Sequence, residues 1–166
     1  MIRVAVVTIS DGVAGGTRED RSGVELLHKA GMLGWKVEDR RVVPDDVHAI
    51  STLLTALASS GAVDVILTTG GTGLSPRDVT PEATRAIADR EVAGFGELMR
   101  REGANHTPLA ALSRSGAYTR KEVLILNFPG SPKGALESLE AVAGLIPHAV
   151  DLLHGRTEHL HAKPST

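Results

Sequence analysis

The stretch TTGGTGLSPRDVTPE, residues 68–82, joins a buried strand to a helix and decides the fold. The apolar run VDVIL at residues 63–67 comes before it and is typical of a strand buried on both faces of a sheet. Thr80 and Pro81 suit the N-cap and the first position of the helix that follows. Glycine lets a backbone approach a ligand closely and turn its N–H groups toward an anion. Because ligands of open α/β sheets bind outside the carboxyl ends of the strands, this loop is a candidate binding site.

The same stretch also has a purely structural reading, because a tight turn uses glycine too. A single pair of glycines would leave that reading favoured. Here three glycines stand beside Thr68, Thr69 and Thr72, while Arg77 and Asp78 add a cation and a carboxylate. We therefore predict a ligand site in the loop.

Length and composition predict one domain with an aliphatic core. The chain has 166 residues, and we predict a domain over residues 1–155 followed by a polar tail over residues 156–166. Hydrophobic residues make up 42% of the chain but aromatic residues only 2%. Such a core is typical of parallel sheets rich in Val, Ile and Leu.

Charge and cysteine content exclude several classes of protein. The formal net charge of -2 provides no basic field for nucleic acid. The absence of cysteine removes disulfides, thiolate nucleophiles and Cys-based zinc or iron–sulfur sites. Arg3 interrupts the first apolar run early, and no run approaches the length of a membrane span. We therefore expect a cytoplasmic protein with neither a nucleic-acid nor a membrane partner.

The first part of the chain predicts two strands separated by a loop and a helix. Residues 2–9 form a β-branched run typical of a central strand, and residues 35–43 predict a second strand near an edge. Between them we expect a mobile loop over residues 13–21. The capping-box spacing at residues 22–25 predicts a helix that starts at Ser22.

The second part predicts further helices and an antiparallel strand pair. One helix is expected over residues 82–89, another ending near Arg101, and a long final helix split at Pro147. Residues 113–120 and 123–127 are too close for a helical crossover and predict an antiparallel pair. Since strands otherwise alternate with helices, the predicted class is α/β, a three-layer α/β/α fold with a mainly parallel sheet and one antiparallel strand pair.

Polar side chains follow the predicted strands at the edge where parallel strands end together. Ser10 and Asp11 follow the first strand. Asp45 and Asp46 follow the second, and because one helix cap needs only one side chain, Asp46 leaves Asp45 free. Asp78 belongs to the glycine loop after the third. These ends should therefore meet in one site.

Two carboxylates near a phosphate indicate a divalent cation. Mg²⁺ prefers oxygen ligands and commonly binds through one or two carboxylates together with substrate phosphates. Asp45 and Asp78 are the predicted pair. The alternative is that one of them caps a helix while the other pairs with Arg77.

A second loop, after the strand at residues 123–127, resembles the glycine loop because it also combines glycine with a helix start and a cation. Pro129, Gly130 and Ser131 lead into a helix, and Lys133 follows. Backbone N–H groups, a helix dipole and an ammonium group together suit a phosphate. Taken singly, Ser131 is typical of a cap and Lys133 of a solvated surface residue.

Other motifs predict less. The glycine loop is neither a Walker A motif nor Gly-x-Gly-x-x-Gly, and Ser113 and Ser115 have no base nearby in the sequence. None of the seven histidines belongs to a spaced metal motif, and His159 and His161 suit a solvated chain end.

The chain resembles the molybdenum-cofactor biosynthesis family of the MogA and MoaB type, which also forms the G domain of gephyrin. The resemblance depends on four motifs: TTGGTG (68–73), RDVTPE (77–82), LSR (112–114) and NFPGSPK (127–133). It extends to VTISD (7–11), VPDD (43–46), DRE (89–91) and GFGE (94–97), so it covers nearly the whole chain in order.

This resemblance implies a three-layer α/β/α fold, a homotrimer and an adenylyltransferase. In the implied reaction the terminal phosphate of molybdopterin takes AMP from Mg-ATP and pyrophosphate is released. The adenylylated product then passes to a protein that inserts molybdate.

The resemblance also implies site residues. Asp45 and Asp78 correspond to two family aspartates needed for activity, and we expect them to hold Mg²⁺ or to orient the attacking phosphate. Arg114 and Lys133 would neutralise developing charge. The nucleotide and pterin pocket would be lined by Ser10, Asp11, Gly70, Gly71, Thr72, Gly73, Ser113, Arg114, Pro129, Gly130, Ser131 and Lys133.

Two alternatives stay open. The chain could bind and deliver molybdopterin without catalysis, or it could be a nucleotide-binding domain of another pathway. Consumption of ATP that depends on molybdopterin would distinguish the transferase from the carrier, and a hydrolase that needs no pterin would favour the third reading.

Overall fold

The computed structural model describes residues 1–156, which form one six-stranded sheet with helices on both faces. The strands are β1 (Arg3–Ile9), β2 (Lys36–Val43), β3 (Val65–Thr69), β4 (Arg90–Glu91), β5 (Gly116–Arg120) and β6 (Val123–Phe128). The helices are α1 (Asp11–Ala14), α2 (Arg21–Met32), α3 (Val47–Ser59), α4 (Thr80–Ile87), α5 (Ala93–Ala104), α6 (Pro132–Val142) and α7 (Ile146–Leu153). Short 3-10 turns lie at Pro108–Leu112 and Ala143–Leu145.

The strand order is β2-β1-β3-β6-β5-β4. β1, β2, β3 and β6 run parallel, while β5 is antiparallel to both β6 and β4. The predicted α/β class, the mainly parallel sheet and the antiparallel pair are therefore confirmed. β2 lies at one edge, as predicted, and the two-residue strand β4 at the other edge is an addition to the prediction.

Two aliphatic cores sandwich the sheet. On one face, Val4, Val6, Leu67 and Leu126 pack under α2, α5, α6 and α7. On the opposite face, side chains that alternate with these along β1, β3 and β6 pack under α3 and α4. Alternate residues of a strand point to opposite faces, so the continuous apolar runs in β3 and β6 serve both layers.

The start of α2 differs from the prediction. Asp20, not Ser22, is the N-cap: its carboxylate accepts from Gly23 N at 2.9 Å. The carboxylate also accepts from Thr8 Oγ1 at 2.9 Å and from Arg40 Nη2 at 2.9 Å. These contacts with β1 and β2 hold Asp20 in place as the N-cap of α2. The Ser22 hydroxyl therefore does not cap the helix.

Three other boundaries also differ. The predicted loop over residues 13–21 contains the end of α1, whose N-cap is Ser10. Thr80 already belongs to α4, and its hydroxyl donates to Gly70 O at 2.8 Å instead of capping the helix. The final helical segment breaks at residues 143–145, and Pro147 lies in the first turn of α7.

No helix among residues 1–156 is long and apolar enough to cross a membrane. Apart from Arg156, the predicted tail lies outside the described residues, and so do His159 and His161.

Candidate active site

A cavity of about 1140 Å³ opens at the carboxyl ends of β1, β3 and β6. Its walls come from the loops after β1, β2, β3 and β6, from the start of α2 and from the 3-10 turn Pro108–Leu112. Ligand cavities commonly measure about 300–1,000 Å³. This cavity therefore has room for a large ligand.

Most of the predicted site residues line this cavity: Ser10, Asp45, Gly70, Gly71, Thr72, Gly73, Asp78, Ser113, Pro129, Gly130 and Ser131. Three do not line it. Asp11 contacts Asp45 from outside the cavity. Arg114 lies beneath the glycine loop, and the Lys133 side chain is 79% exposed with its Nζ 3.7 Å from Glu137.

The glycine loop requires glycine for reasons of backbone geometry. Gly70 has φ 105°, and a Cβ there would lie 2.1 Å from Ile9 O. Gly71 has φ 68°, and a Cβ there would lie 2.3 Å from Thr80 Oγ1. Positive φ and the lack of space exclude L side chains at both positions. The loop can consequently pack its backbone against the end of β1.

Arg114 supports this loop from below. Its backbone N–H donates to Thr72 O at 2.8 Å, its Nε to Gly73 O at 2.9 Å and its Nη2 to Asp78 O at 2.7 Å. Its Nη1 pairs with Glu82. Burial opposes ionisation of Glu82, but the hydrogen bond from Arg114, a backbone hydrogen bond and the charges of Arg114 and Arg85 together hold the pKa of Glu82 below its usual range. Arg114 therefore fixes the shape of the loop that carries Asp78.

Asp45 is held by a reciprocal pair of hydrogen bonds with Asp11. Asp11 N donates to Asp45 Oδ2 at 2.8 Å, and Asp45 N donates to Asp11 Oδ1 at 3.0 Å. Arg77 closes the arrangement, because its Nε and Nη2 donate to the Asp11 carboxylate at 3.0 and 2.8 Å. That hydrogen bonding lowers the pKa of Asp11 below its usual range. We call this set of three residues the Arg77–Asp11–Asp45 latch.

Asp45 and Asp78 lie close enough to influence each other. Burial raises the pKa of the Asp45 carboxyl above its usual range, and the negative charges of Asp11 and Asp78 raise it further, against the hydrogen bond from Asp11 N and the charge of Arg77. Asp78 Oδ2 accepts from Ser75 N at 2.8 Å, which orients its carboxylate within the loop.

The donor set suits a cation that also binds phosphate. No group of three or more His, Asp or Glu side chains that could hold a metal occurs in residues 1–156. Mg²⁺ commonly binds through one or two carboxylates and takes its other ligands from substrate phosphates and water, which fits Asp45 and Asp78. Four carboxylates but only two guanidinium groups line the cavity, so a polyanionic substrate needs a cation there.

A buried polar network lies behind the cavity. Thr68 Oγ1 donates to Asn127 Oδ1 at 2.9 Å, and Asn127 Nδ2 donates to Thr84 Oγ1 at 3.1 Å. Thr84 Oγ1 in turn donates to Thr80 O at 2.8 Å. All these side chains are fully buried, so the network ties β3, β6 and α4 together.

Several cavity residues have no counterpart in the sequence prediction. Arg18 and Glu19 line it from the loop before α2, and Arg21 and Ser22 line it from the first turn of that helix. Leu74, Leu109 and Leu112 add exposed apolar side chains at its wall. In the sequence, only the short distance along the chain from the end of β1 could have indicated that residues 18–22 line the cavity.

Fold and cavity define an α/β protein whose ligand cavity lies at the carboxyl ends of a mainly parallel sheet. A family model described as a probable molybdopterin binding domain matches residues 5–148. The chain belongs to this molybdenum-cofactor biosynthesis family.

Similar proteins agree with this assignment. The molybdopterin adenylyltransferases of Haemophilus influenzae and Escherichia coli K12 are 38% and 39% identical to the chain in alignments 170 positions long, gaps included, which cover 93% of this chain and 86% of each relative. The solved structure of the molybdopterin biosynthesis enzyme MoaB from Thermus thermophilus matches with a TM-score of 0.88 and 48% identity. That match covers 93% of this chain and 98% of the other.

Proposed function

We propose that this protein is a molybdopterin adenylyltransferase. A phosphate oxygen of molybdopterin attacks the α-phosphorus of ATP. The bond between that phosphorus and the oxygen bridging to the β-phosphorus breaks, and pyrophosphate leaves with the electron pair. Support comes from the names of the similar proteins and from the large cavity at the carboxyl ends of the strands.

The observation that carries the proposal is the position of two carboxylates. Asp45 and Asp78 follow different strands, yet both line the cavity beside the glycine loop. Phosphoryl-type transfer depends mostly on positioning and on charge stabilisation. Asp45 and Asp78 would hold Mg²⁺, which supplies charge neutralisation to the triphosphate when bound.

The glycine loop holds phosphate or nucleotide in this proposal. Gly70, Gly71, Thr72 and Gly73 offer close backbone approach. Thr72 is only 4% exposed, and within the described part of the chain its hydroxyl makes no hydrogen bond. Arg114 takes a supporting role because its guanidinium group is already bonded at all three nitrogens. The proposal assigns Lys133 no contact with the transferred phosphate, since its ammonium group lies outside the cavity.

We extend the proposal to the setting of the enzyme. It acts in the cytoplasm as a homotrimer and passes adenylylated molybdopterin to a protein that inserts molybdate. The basis for these statements is the family resemblance.

Pyrophosphate release from Mg-ATP, with and without molybdopterin, tests the activity. We expect release from wild type only when molybdopterin is present. Asp78→Ala and Asp45→Ala should each lower turnover about a hundred-fold or more, the usual cost of losing one charge-positioning group. Asp39→Ala is the matched control, because Asp39 is a carboxylate on β2 that pairs with Arg41 and does not line the cavity.

Two results would contradict the proposal. Tight molybdopterin binding without pyrophosphate release would identify a carrier. Pyrophosphate or phosphate release that needs no pterin would identify a nucleotide hydrolase of another pathway.

A further inference from the structure

Ser22 is a buried residue with two unused hydrogen-bond donors. It is 7% exposed and lines the cavity from the first turn of α2, a helix of 12 residues. Within residues 1–156, neither its N–H nor its hydroxyl group has a hydrogen-bond partner, because Asp20 caps the helix through Gly23. The N–H groups of a first helical turn have no partner within the helix, and here the hydroxyl of the same residue is also unpaired and opens to the cavity. Together the two donors can bind an anion.

The two ends of the cavity differ in charge. Asp45 and Asp78 precede α3 and α4, which cover one face of the sheet, whereas Ser22 belongs to α2, which covers the other. At the carboxylate end, Asp45 and Asp78 line the cavity, and just outside it Asp11 contacts Asp45 and pairs with Arg77.

The end at α2 has the opposite balance. Arg18 and Arg21 line this end, with Arg21 Nε 3.5 Å from the Glu19 carboxylate, which leaves one guanidinium group in excess. Arg40 reaches the Asp20 carboxylate from β2. The Asp20 carboxylate is occupied by Thr8, Gly23 and Arg40, so its charge is compensated locally. The N-terminal end of the helix dipole adds positive potential at the same point.

We propose that Ser22 binds a phosphate group of a substrate through its N–H and hydroxyl, with Arg18 and Arg21 beside it, and without a metal ion. The source of this phosphate is the nucleotide or the pterin, and that part rests on the proposed function. One end of the cavity would then bind phosphate through a metal ion, and the other end would bind phosphate without one.

The first experiment measures binding of inorganic phosphate in EDTA by ³¹P NMR line broadening. Ser22→Ala should weaken this binding about ten-fold, as expected for the loss of a hydrogen bond to a charged group. Arg18→Gln, a change at an exposed side chain that leaves the helix start intact, should weaken it about three-fold and flatten its salt dependence. Ser138→Ala is the matched control, because Ser138 is also a 7% exposed helical serine but does not line this cavity.

The second experiment identifies the source by titrating AMP and molybdopterin separately into the same variants. Weaker AMP binding by Ser22→Ala assigns the site to the nucleotide, and weaker molybdopterin binding assigns it to the pterin. Either result supports the site.

Equal phosphate binding by wild type, Ser22→Ala and Arg18→Gln would overturn it, whatever the turnover of the enzyme. Conversely, if wild type releases no pyrophosphate but binds phosphate through Ser22, the adenylyltransferase proposal fails and the phosphate site stands.

Discussion

Asp64 is a buried carboxylate that fixes the start of the sheet. It accepts from Arg3 N at 2.8 Å and from Arg3 Nη2 at 2.6 Å, and its side chain is only 7% exposed. Burial alone would raise the pKa of Asp64, but the hydrogen bonds from Arg3 and the charges of Arg3 and His154 together hold that pKa below its usual value of 3.8. The ionised group therefore stabilises the fold.

Replacement of Asp64 by Asn should lower the free energy of unfolding by about 2 kcal/mol at about pH 7, because the charged hydrogen bonds are lost. A folded pKa below the unfolded one gives stability that is present above 3.8 and lost as the pH falls through the folded pKa. The difference between wild type and Asp64→Asn should therefore shrink on acidification, which urea unfolding at several pH values measures.

The exposed pair of Arg41 and Asp39 provides the comparison for Asp64. Asp39→Asn should cost less than about 1 kcal/mol, since exposed ion pairs contribute little. A difference for Asp64→Asn that stays constant down to low pH would show that the lost charge is not the cause.

At the scale of elements, the Arg77–Asp11–Asp45 latch joins the loops that follow β1, β2 and β3. Its loss should let the glycine loop move relative to Asp45. Arg77→Gln should lower turnover about ten- to hundred-fold, because small displacements of positioned groups slow transfer strongly. Amide hydrogen exchange in residues 70–76 should become faster in the same variant, whether or not the reaction is the one proposed.

Arg85→Gln is the control for the latch. Arg85 pairs with Glu91 at 3.5 Å and is about as exposed as Arg77, but its partner lies on β4 and not in the latch. Unchanged exchange in the glycine loop of Arg77→Gln would rule out the latch as the structure that holds this loop.

The strands could be predicted more completely than the helix starts. Continuous apolar runs mark β3 and β6, and the topology of a parallel sheet brings Asp45 and Asp78 to one edge. The start of α2 could not be predicted, because Asp20 and Ser22 both suit a cap. Thr8 and Arg40 decide between them, and these residues reach Asp20 only in the folded chain.

Arg114 shows the same limit in the site. Sequence identifies it as a cation near a ligand motif, but its bonds to Gly73 O and Asp78 O join residues far apart in the chain. Local patterns predict which groups are available, whereas long-range contacts decide which of them face the cavity.

At the scale of the whole molecule, we propose that residues 1–155 contain the complete folding unit and that the assembly is a trimer. Both cores close among residues 2–153. A chain ending at Arg156 should therefore melt at the same temperature as the full chain. Both should sediment as trimers in analytical ultracentrifugation. A monomer, or a lower melting temperature for the shorter chain, would contradict the respective part of this proposal.

The central strand β3 meets both of its neighbours across long stretches of chain, since Val65 pairs with Val4 on one side and with Leu124 on the other. Pairings between such distant segments form slowly, because the entropic cost of closing long loops comes before the stabilising contacts. During synthesis β3 leaves the ribosome well before β6 exists, so the edge of β3 that pairs with β6 stays open. The growing chain consequently passes through an aggregation-prone stage that ends only when its last strand has been made.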